Sequence, residues 1–234
     1  TILNRSGFLF DPQTSGIPET QINYGNWTTV GAELLITGGA QLQGGELVLE
    51  FRLFDTIKGS LLIGKRYKGT VADQRAMVKR FCAEVMKLLT GSAGVFDTQF
   101  AFVSTGSGFK EIYVCDFDGS GVRQVTHKRS ITTFPAWSAG NTYLAYTAFA
   151  KGPARVFVQN LSTGAEKSFG FSGVQIAPAW VPNRLELSAT LSHSGDQEIY
   201  LLTPEGKTIK RLTQNPGIDV EASWSPDGQR FAFV

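Results

Sequence analysis

The chain has 234 residues, room for one large domain or two modest ones at about 150 residues each. Lys and Arg number 22 against 20 Asp and Glu, a net charge of +2, and the 18% of charged residues is below the usual share of about 25%. So balanced a surface offers no broad field to a nucleic-acid backbone or an anionic membrane, and no apolar run reaches the roughly 20 residues that span a bilayer. Neither nucleic acid nor membrane insertion is therefore expected. A hydrophobic content of 42% excludes a disordered chain, and 26 glycines predict many turns between short strands. The first residue is Thr1 rather than Met, and no charged-then-apolar leader follows, which reads as a processed or excised fragment.

Residues 1–92 read as an α/β unit. Asn26 to Thr37 looks like a turn of helix feeding a strand. Glu46–Asp55 alternates, with Leu47, Leu49, Phe51 and Leu53 on one face and Glu50 and Arg52 on the other, as a half-buried strand requires. Gly44-Gly45 before it suits a hairpin turn. Leu61–Tyr67 is the next strand. Thr70, with Asp73 three residues on, then caps a helix over 71–90 that Gly91 ends. Val78, Phe81, Cys82, Val85, Leu88 and Leu89 form its apolar stripe, expected to pack on the sheet.

From residue 93 the pattern changes to recurring short strands. Trp137, Trp180 and Trp224 are 43 and 44 residues apart, in Pro135-Ala136-Trp137-Ser138, Pro178-Ala179-Trp180-Val181 and Ala222-Ser223-Trp224-Ser225. Ile112-Tyr113 recurs as Val156-Phe157 and Ile199-Tyr200, and Val125-Thr126 returns as Leu212-Thr213, 87 residues later. Phe100-Ala101-Phe102-Val103 returns verbatim as Phe231-Ala232-Phe233-Val234. A period of 43–44 with four short strands per unit belongs to a β-propeller. In the unit beginning at Phe134 the strands are expected near 134–138, 143–148, 155–160 and 166–169. The tryptophans read as blade-to-blade packing residues, one per repeat. Units 134–169 and 177–213 are complete, 96–126 lacks its inner strand, and the last stops after two strands. Propellers close with four to eight blades, so a ring needs further chain beyond residue 234.

Chemistry is thinly supplied. The two histidines, His127 and His193, stand apart, and Cys82 and Cys115, in different units, read as unpaired. Asp116-Phe117-Asp118-Gly119 would need a carboxylate at the twelfth place of an EF-hand loop, which is His127, so it reads as a hairpin turn. Ser192-His193-Ser194-Gly195-Asp196 has the letters of a catalytic triad on one turn, where adjacent side chains do not converge. His127-Lys128-Arg129 reads as a solvated basic loop between blades. No catalytic residue, metal or cofactor is expected.

The chain resembles the TolB family of the Tol–Pal envelope system. The resemblance lies in Asn26-Trp27 to Gly38, the Phe51-Arg52-Leu53-Phe54-Asp55 strand and the helix ending Leu88-Leu89-Thr90-Gly91. In the repeats it lies in Glu111-Ile112-Tyr113-Val114, Asp116-Phe117-Asp118-Gly119, Arg123-Gln124-Val125-Thr126 and Ser225-Pro226-Asp227-Gly228. It implies a small two-layer α/β domain over 1–92, missing its first elements, and the first blades of a six-bladed propeller over 93–234. It also implies a non-enzymatic periplasmic protein. Its propeller would bind the peptidoglycan-associated lipoprotein Pal, and its N-terminal region would bind TolA through a segment lying before Thr1. Outer-membrane integrity, envelope constriction at division and protein transport, including the import of colicins or phage proteins, would be its settings. The alternatives are the propeller of a serine peptidase of the prolyl oligopeptidase type, with its catalytic domain outside this chain, and a small-ligand propeller.

The connections from one outer strand to the next inner strand, 127–134, 168–177 and 213–221, cross one face toward the channel mouth. They end at the positions where the family resemblance puts partner-contacting loops. Thr133 and Phe134, Val174 and Ala177, and Val220 and Glu221 are the expected protein-binding residues.

Overall fold

The computed structural model describes residues 22–96, 98–150 and 152–234. The first 21 residues of the α/β unit expected over 1–92 lie outside the described residues. Two compact units divide the chain, Thr1–Thr98 and Gln99–Val234.

In the first unit, helix α1 (Tyr24–Thr29) leads into an antiparallel sheet of β1 (Leu34–Gln43), β2 (Glu46–Asp55) and β3 (Ser60–Gly69), in that order. Gln43 pairs with Glu46 across a two-residue loop, and Gly44 and Gly45 both have positive φ, 60° and 87°. That is the primed turn whose twist matches the flanking strands, and glycine supplies it without steric cost. A 3₁₀ turn (Val71–Asp73) opens helix α2 (Gln74–Thr90). The Asp73 carboxylate accepts the Thr70 N–H at 2.8 Å and the Thr70 hydroxyl at 2.7 Å, tying down the helix start. At the other end Gly91 is left-handed, φ 81°, and its N–H returns to the Lys87 carbonyl at 3.0 Å. A Cβ at Gly91 would meet nothing within 4 Å, so Gly91→Ala carries only the backbone penalty. About 1 kcal/mol of lost stability is expected in urea unfolding followed by helical circular dichroism.

Met77, Phe81 and Val85 bury themselves against Leu47, Leu49 and Leu53 of β2, with the Phe51 and Phe81 rings stacked at 4.9 Å. Glu84 adds an ion pair with Lys65 at 2.6 Å and accepts the Tyr67 hydroxyl at 3.0 Å. Three residues of the expected stripe are exposed instead: Val78, Leu88 and Leu89, of which Leu88 is the most open at 52%. They lie on the same helical arc as Phe81 and Val85. A helical period fixes the arc, but burial also needs a strand opposite, and the described strands do not cover these three.

The second unit is a series of antiparallel meanders. The first holds β4 (Gln99–Ser104), β5 (Glu111–Asp116) and β6 (Arg123–Gln124). The second has four strands, β7 (Thr132–Trp137), β8 (Tyr143–Ala148), β9 (Arg155–Asn160) and β10 (Glu166–Ser168). So does the third, with β11 (Gln175–Trp180), β12 (Leu187–Leu191), β13 (Glu198–Leu202) and β14 (Thr208–Arg211). A final pair, β15 (Ser223–Trp224) and β16 (Phe231–Ala232), begins a fourth. These are propeller blades, and among the described residues they form no closed ring. The inner strands β7, β11 and β15 lie side by side.

The recurring residues are what hold blade to blade. Ile112, Val156 and Ile199 are fully buried at equivalent places. The Trp180 indole N–H donates to the Ala136 carbonyl of the preceding blade at 3.0 Å. The Trp224 indole N–H donates at 2.9 Å to the Ser188 hydroxyl, which itself donates to the Ala179 carbonyl. Trp137 packs on the cluster of Ile112, Leu144 and Tyr146. Cys82 and Cys115 are both buried free thiols.

Candidate partner-binding face

Each inner strand carries the same irregularity. Between Thr133↔Thr147 and Ala136↔Ala145, two residues of β7 oppose one of β8. Between Ile176↔Thr190 and Ala179↔Ser188, β11 does the same to β12. In the fourth repeat Val220 exchanges backbone hydrogen bonds with Val234 while Ser223 pairs with Ala232, which is again two against one. These are β-bulges, and the first residue of each is left-handed: Phe134 (φ 53°), Ala177 (φ 50°) and Glu221 (φ 57°). Glycine is the usual occupant of such a position, because a side chain there costs roughly 1–2 kcal/mol. Proline follows in two cases, Pro135 and Pro178, where the bulge leaves a strand residue with no ladder bond to donate.

The three bulges converge. Phe134, Pro135, Ala177, Pro178, Glu221 and Ala222 line one cavity of about 150 Å³. Phe134 is 42% exposed, Glu221 is exposed, and Ala177 at 5% lies in the floor with its N–H donated to the Thr147 hydroxyl at 3.1 Å. Of the six expected residues, the structure therefore gathers Phe134, Ala177 and Glu221. Thr133, Val174 and Val220 are half-buried and do not line the cavity: Thr133 pairs with Thr147, Val174 donates its N–H to the Ser192 hydroxyl at 2.8 Å, and Val220 pairs with Val234.

The loops entering the bulges are tied from inside by the first residue of each third strand, Glu111, Arg155 and Glu198. Buried Glu111 accepts the Thr126 hydroxyl at 2.5 Å and the N–H of left-handed Arg129 at 2.6 Å. Buried Glu198 accepts the Thr213 hydroxyl at 2.6 Å and the Arg211 guanidinium at 2.7 Å, while Thr213 Oγ1 takes the Ile199 N–H. In the middle repeat both partners change together. Arg155 stands for the glutamate and Phe169 for the threonine, and the guanidinium donates instead to the carbonyls of Phe169 and Phe171. Burial pushes the Glu198 carboxyl up, but the Thr213 hydroxyl and Arg211 together pull harder, so it lies below the ordinary carboxylate range.

One loop reading changes in the fold. Lys128 is not part of a solvated run. Its side chain is 17% exposed, pairs with Glu166 and sits 3.9 Å from the Phe157 ring centroid, lashing the loop after the first blade to the second. The chemistry of the neighbouring sequence had no way to announce this, because Glu166 is 38 residues away. His193 stacks on Phe171, centroids 5.0 Å apart, and lies tilted against Tyr200 at 4.9 Å, while Ser194 bonds the Tyr200 hydroxyl and Ser192 serves Val174. Both serines of this turn thus bond elsewhere than the imidazole, unlike a nucleophile paired with its base. Asp118 caps its own turn, accepting the Ser120 N–H at 3.0 Å and its hydroxyl at 2.6 Å.

Comparison with known proteins agrees with this architecture. The family profile of the TolB beta propeller domain matches residues 86–234, and that of the TolB amino-terminal domain matches residues 2–62. The chain belongs to the TolB family. It is 48% identical over 216 residues to the Tol-Pal system protein TolB of Desulfosudis oleivorans, covering 92% of this chain and 49% of that protein. It is 42% identical to the protein TolB homolog of Chlorobium chlorochromatii, with 91% and 48% covered. Among solved structures, TolB from Acinetobacter baumannii superposes with a TM-score of 0.75 at 27% identity, over 91% of this chain and 54% of that one. The chain thus spans about half the length of the TolB relatives it matches. No helix among the described residues is long and apolar enough to cross a membrane.

Proposed function

We propose that this chain is about half of a periplasmic, non-enzymatic component of a Tol–Pal system, which binds the Pal lipoprotein through its propeller. Residues 93–234 supply the binding blades and residues 1–92 belong to the N-terminal region that binds TolA. Its roles are outer-membrane integrity, envelope constriction at division and protein transport, with colicins or phage proteins as further partners. The observation that carries the reading is the convergence of Phe134, Ala177 and Glu221 on one cavity. Three copies of one repeat position keep a left-handed backbone at non-glycine residues, and strain of that kind collects at binding sites.

The test is titration calorimetry of the full-length protein with the soluble domain of Pal. Phe134→Ala and Glu221→Arg are each expected to weaken binding by roughly tenfold or more, as truncation or reversal at an interface anchor does. Both variants should melt with the unaltered protein. Unchanged affinity in both would put the Pal site elsewhere.

A further inference from the structure

The side chains lining the cavity are chemically one-sided. Of its six side chains, five are apolar (Phe134, Pro135, Ala177, Pro178 and Ala222), and Glu221 carries the only charge and the only polar atoms. Pro135 and Pro178 have no N–H to offer, and the Ala177 N–H is already taken by Thr147. Among the described residues no cation or hydrogen-bond donor partners the Glu221 carboxylate, although five other glutamates, Glu50, Glu84, Glu166, Glu186 and Glu198, each hold a lysine or arginine. The cavity therefore sets a carboxylate beside five apolar side chains, one of them aromatic, with polar backbone atoms exposed between them and no donor on any lining side chain.

We infer that the cavity receives one arginine side chain from the protein partner, its alkyl stem against Pro135 and Pro178 and its guanidinium on Glu221 and the Phe134 ring. A volume of about 150 Å³ admits one side chain and no folded element. Arginine fits better than lysine, since its planar guanidinium forks onto a carboxylate and lies on an aromatic face at once. A carboxylate or phosphate would meet an uncompensated like charge, and a purely apolar side chain would leave Glu221 desolvated without a partner. The inference rests on the binding-face reading above and specifies what that face recognises.

Methyl-labelled alanine reports directly, because Ala177 and Ala222 both line the cavity. In the full-length protein, N-acetyl-arginine amide at millimolar concentration is expected to shift both methyl signals saturably. N-acetyl-citrulline amide, its neutral isostere, should act at least tenfold more weakly, and Glu221→Gln should abolish the arginine effect. No shift, equal shifts with the two amides, or an unchanged response in Glu221→Gln would overturn the inference. A second arm separates it from the reading it rests on. If Pal binds the unaltered protein and Glu221→Gln alike while the arginine amide is ignored, the arginine pocket falls and Pal binding stands. If the amide behaves as expected and Pal does not bind, the pocket stands and the Pal reading falls.

Discussion

Glu198→Ala is expected to destabilise the propeller unit by about 3 kcal/mol, the scale on which breaking a buried charged pair is felt. The substitution removes the acceptor of both Arg211 and Thr213 and opens a void at a position only 1% exposed. Glu198→Gln keeps the volume and one acceptor and should lose clearly less. Urea unfolding of the three proteins gives the order, and a loss below 1 kcal/mol for the alanine variant would show that the network is dispensable. The pH dependence has a definite sign. The folded carboxyl lies below its unfolded value of about 4.3, so its contribution is complete above that value and disappears as the pH falls through the lower folded one. The stability curves of the unaltered protein and Glu198→Gln should therefore converge on acidification below about pH 4, and remain apart at neutral pH.

A second large effect is expected at the turn between β13 and β14. Gly206 has φ 83°, and a Cβ there would stand 2.4 Å from Cδ1 and 2.8 Å from Cγ of Phe169. Phe169 is 1% exposed and packed in the core between the second and third blades, so its ring has no room to retreat. Gly206→Ala combines the left-handed penalty with overpacking, together about 3 kcal/mol, or roughly 10 °C of melting temperature. Gly119 is the internal control. Its φ of 77° is similar, yet a Cβ there would meet nothing within 4 Å, so Gly119→Ala should cost only about 1 kcal/mol. Equal losses at the two glycines would mean that Phe169 yields easily and the steric argument is wrong.

The periodic features were legible because each is set by local chemistry repeated at a fixed interval. Trp137, Trp180 and Trp224 had to recur, since every blade buries its neighbour through the same position. Thr126 and Thr213 recurred for a reason the letters did not disclose: each is the hydroxyl that closes a hydrogen-bond bridge to a buried glutamate. The signal for that bridge was present, since Glu111 and Glu198 share the threonines' 87-residue spacing and both are lost together at Arg155 and Phe169. The bulges left a fainter trace in Pro135 and Pro178, because proline inside a strand marks a place where the ladder is interrupted. Of the six residues expected at the partner face, half reach the cavity, and the division follows the bulge: its left-handed residue turns toward the neighbouring blades, while the residues before it stay in their own ladders.

The sequence by itself determined the two-part organisation, the hairpin at Gly44-Gly45, the start and stop of α2 and the 43–44 residue blades. Those depend on backbone permissiveness, capping and side-chain alternation, which act between residues close in the chain. Only the tertiary structure decided that Phe134, Ala177 and Glu221 share a cavity, that Lys128 folds under its loop onto Glu166 and Phe157, and that Val78 and Leu88 stay exposed. The first requires non-glycine residues to hold a left-handed backbone that local preference opposes. The others depend on which surface lies opposite a side chain once the sheets and the helix have packed, and no local preference of the residues themselves carries that information.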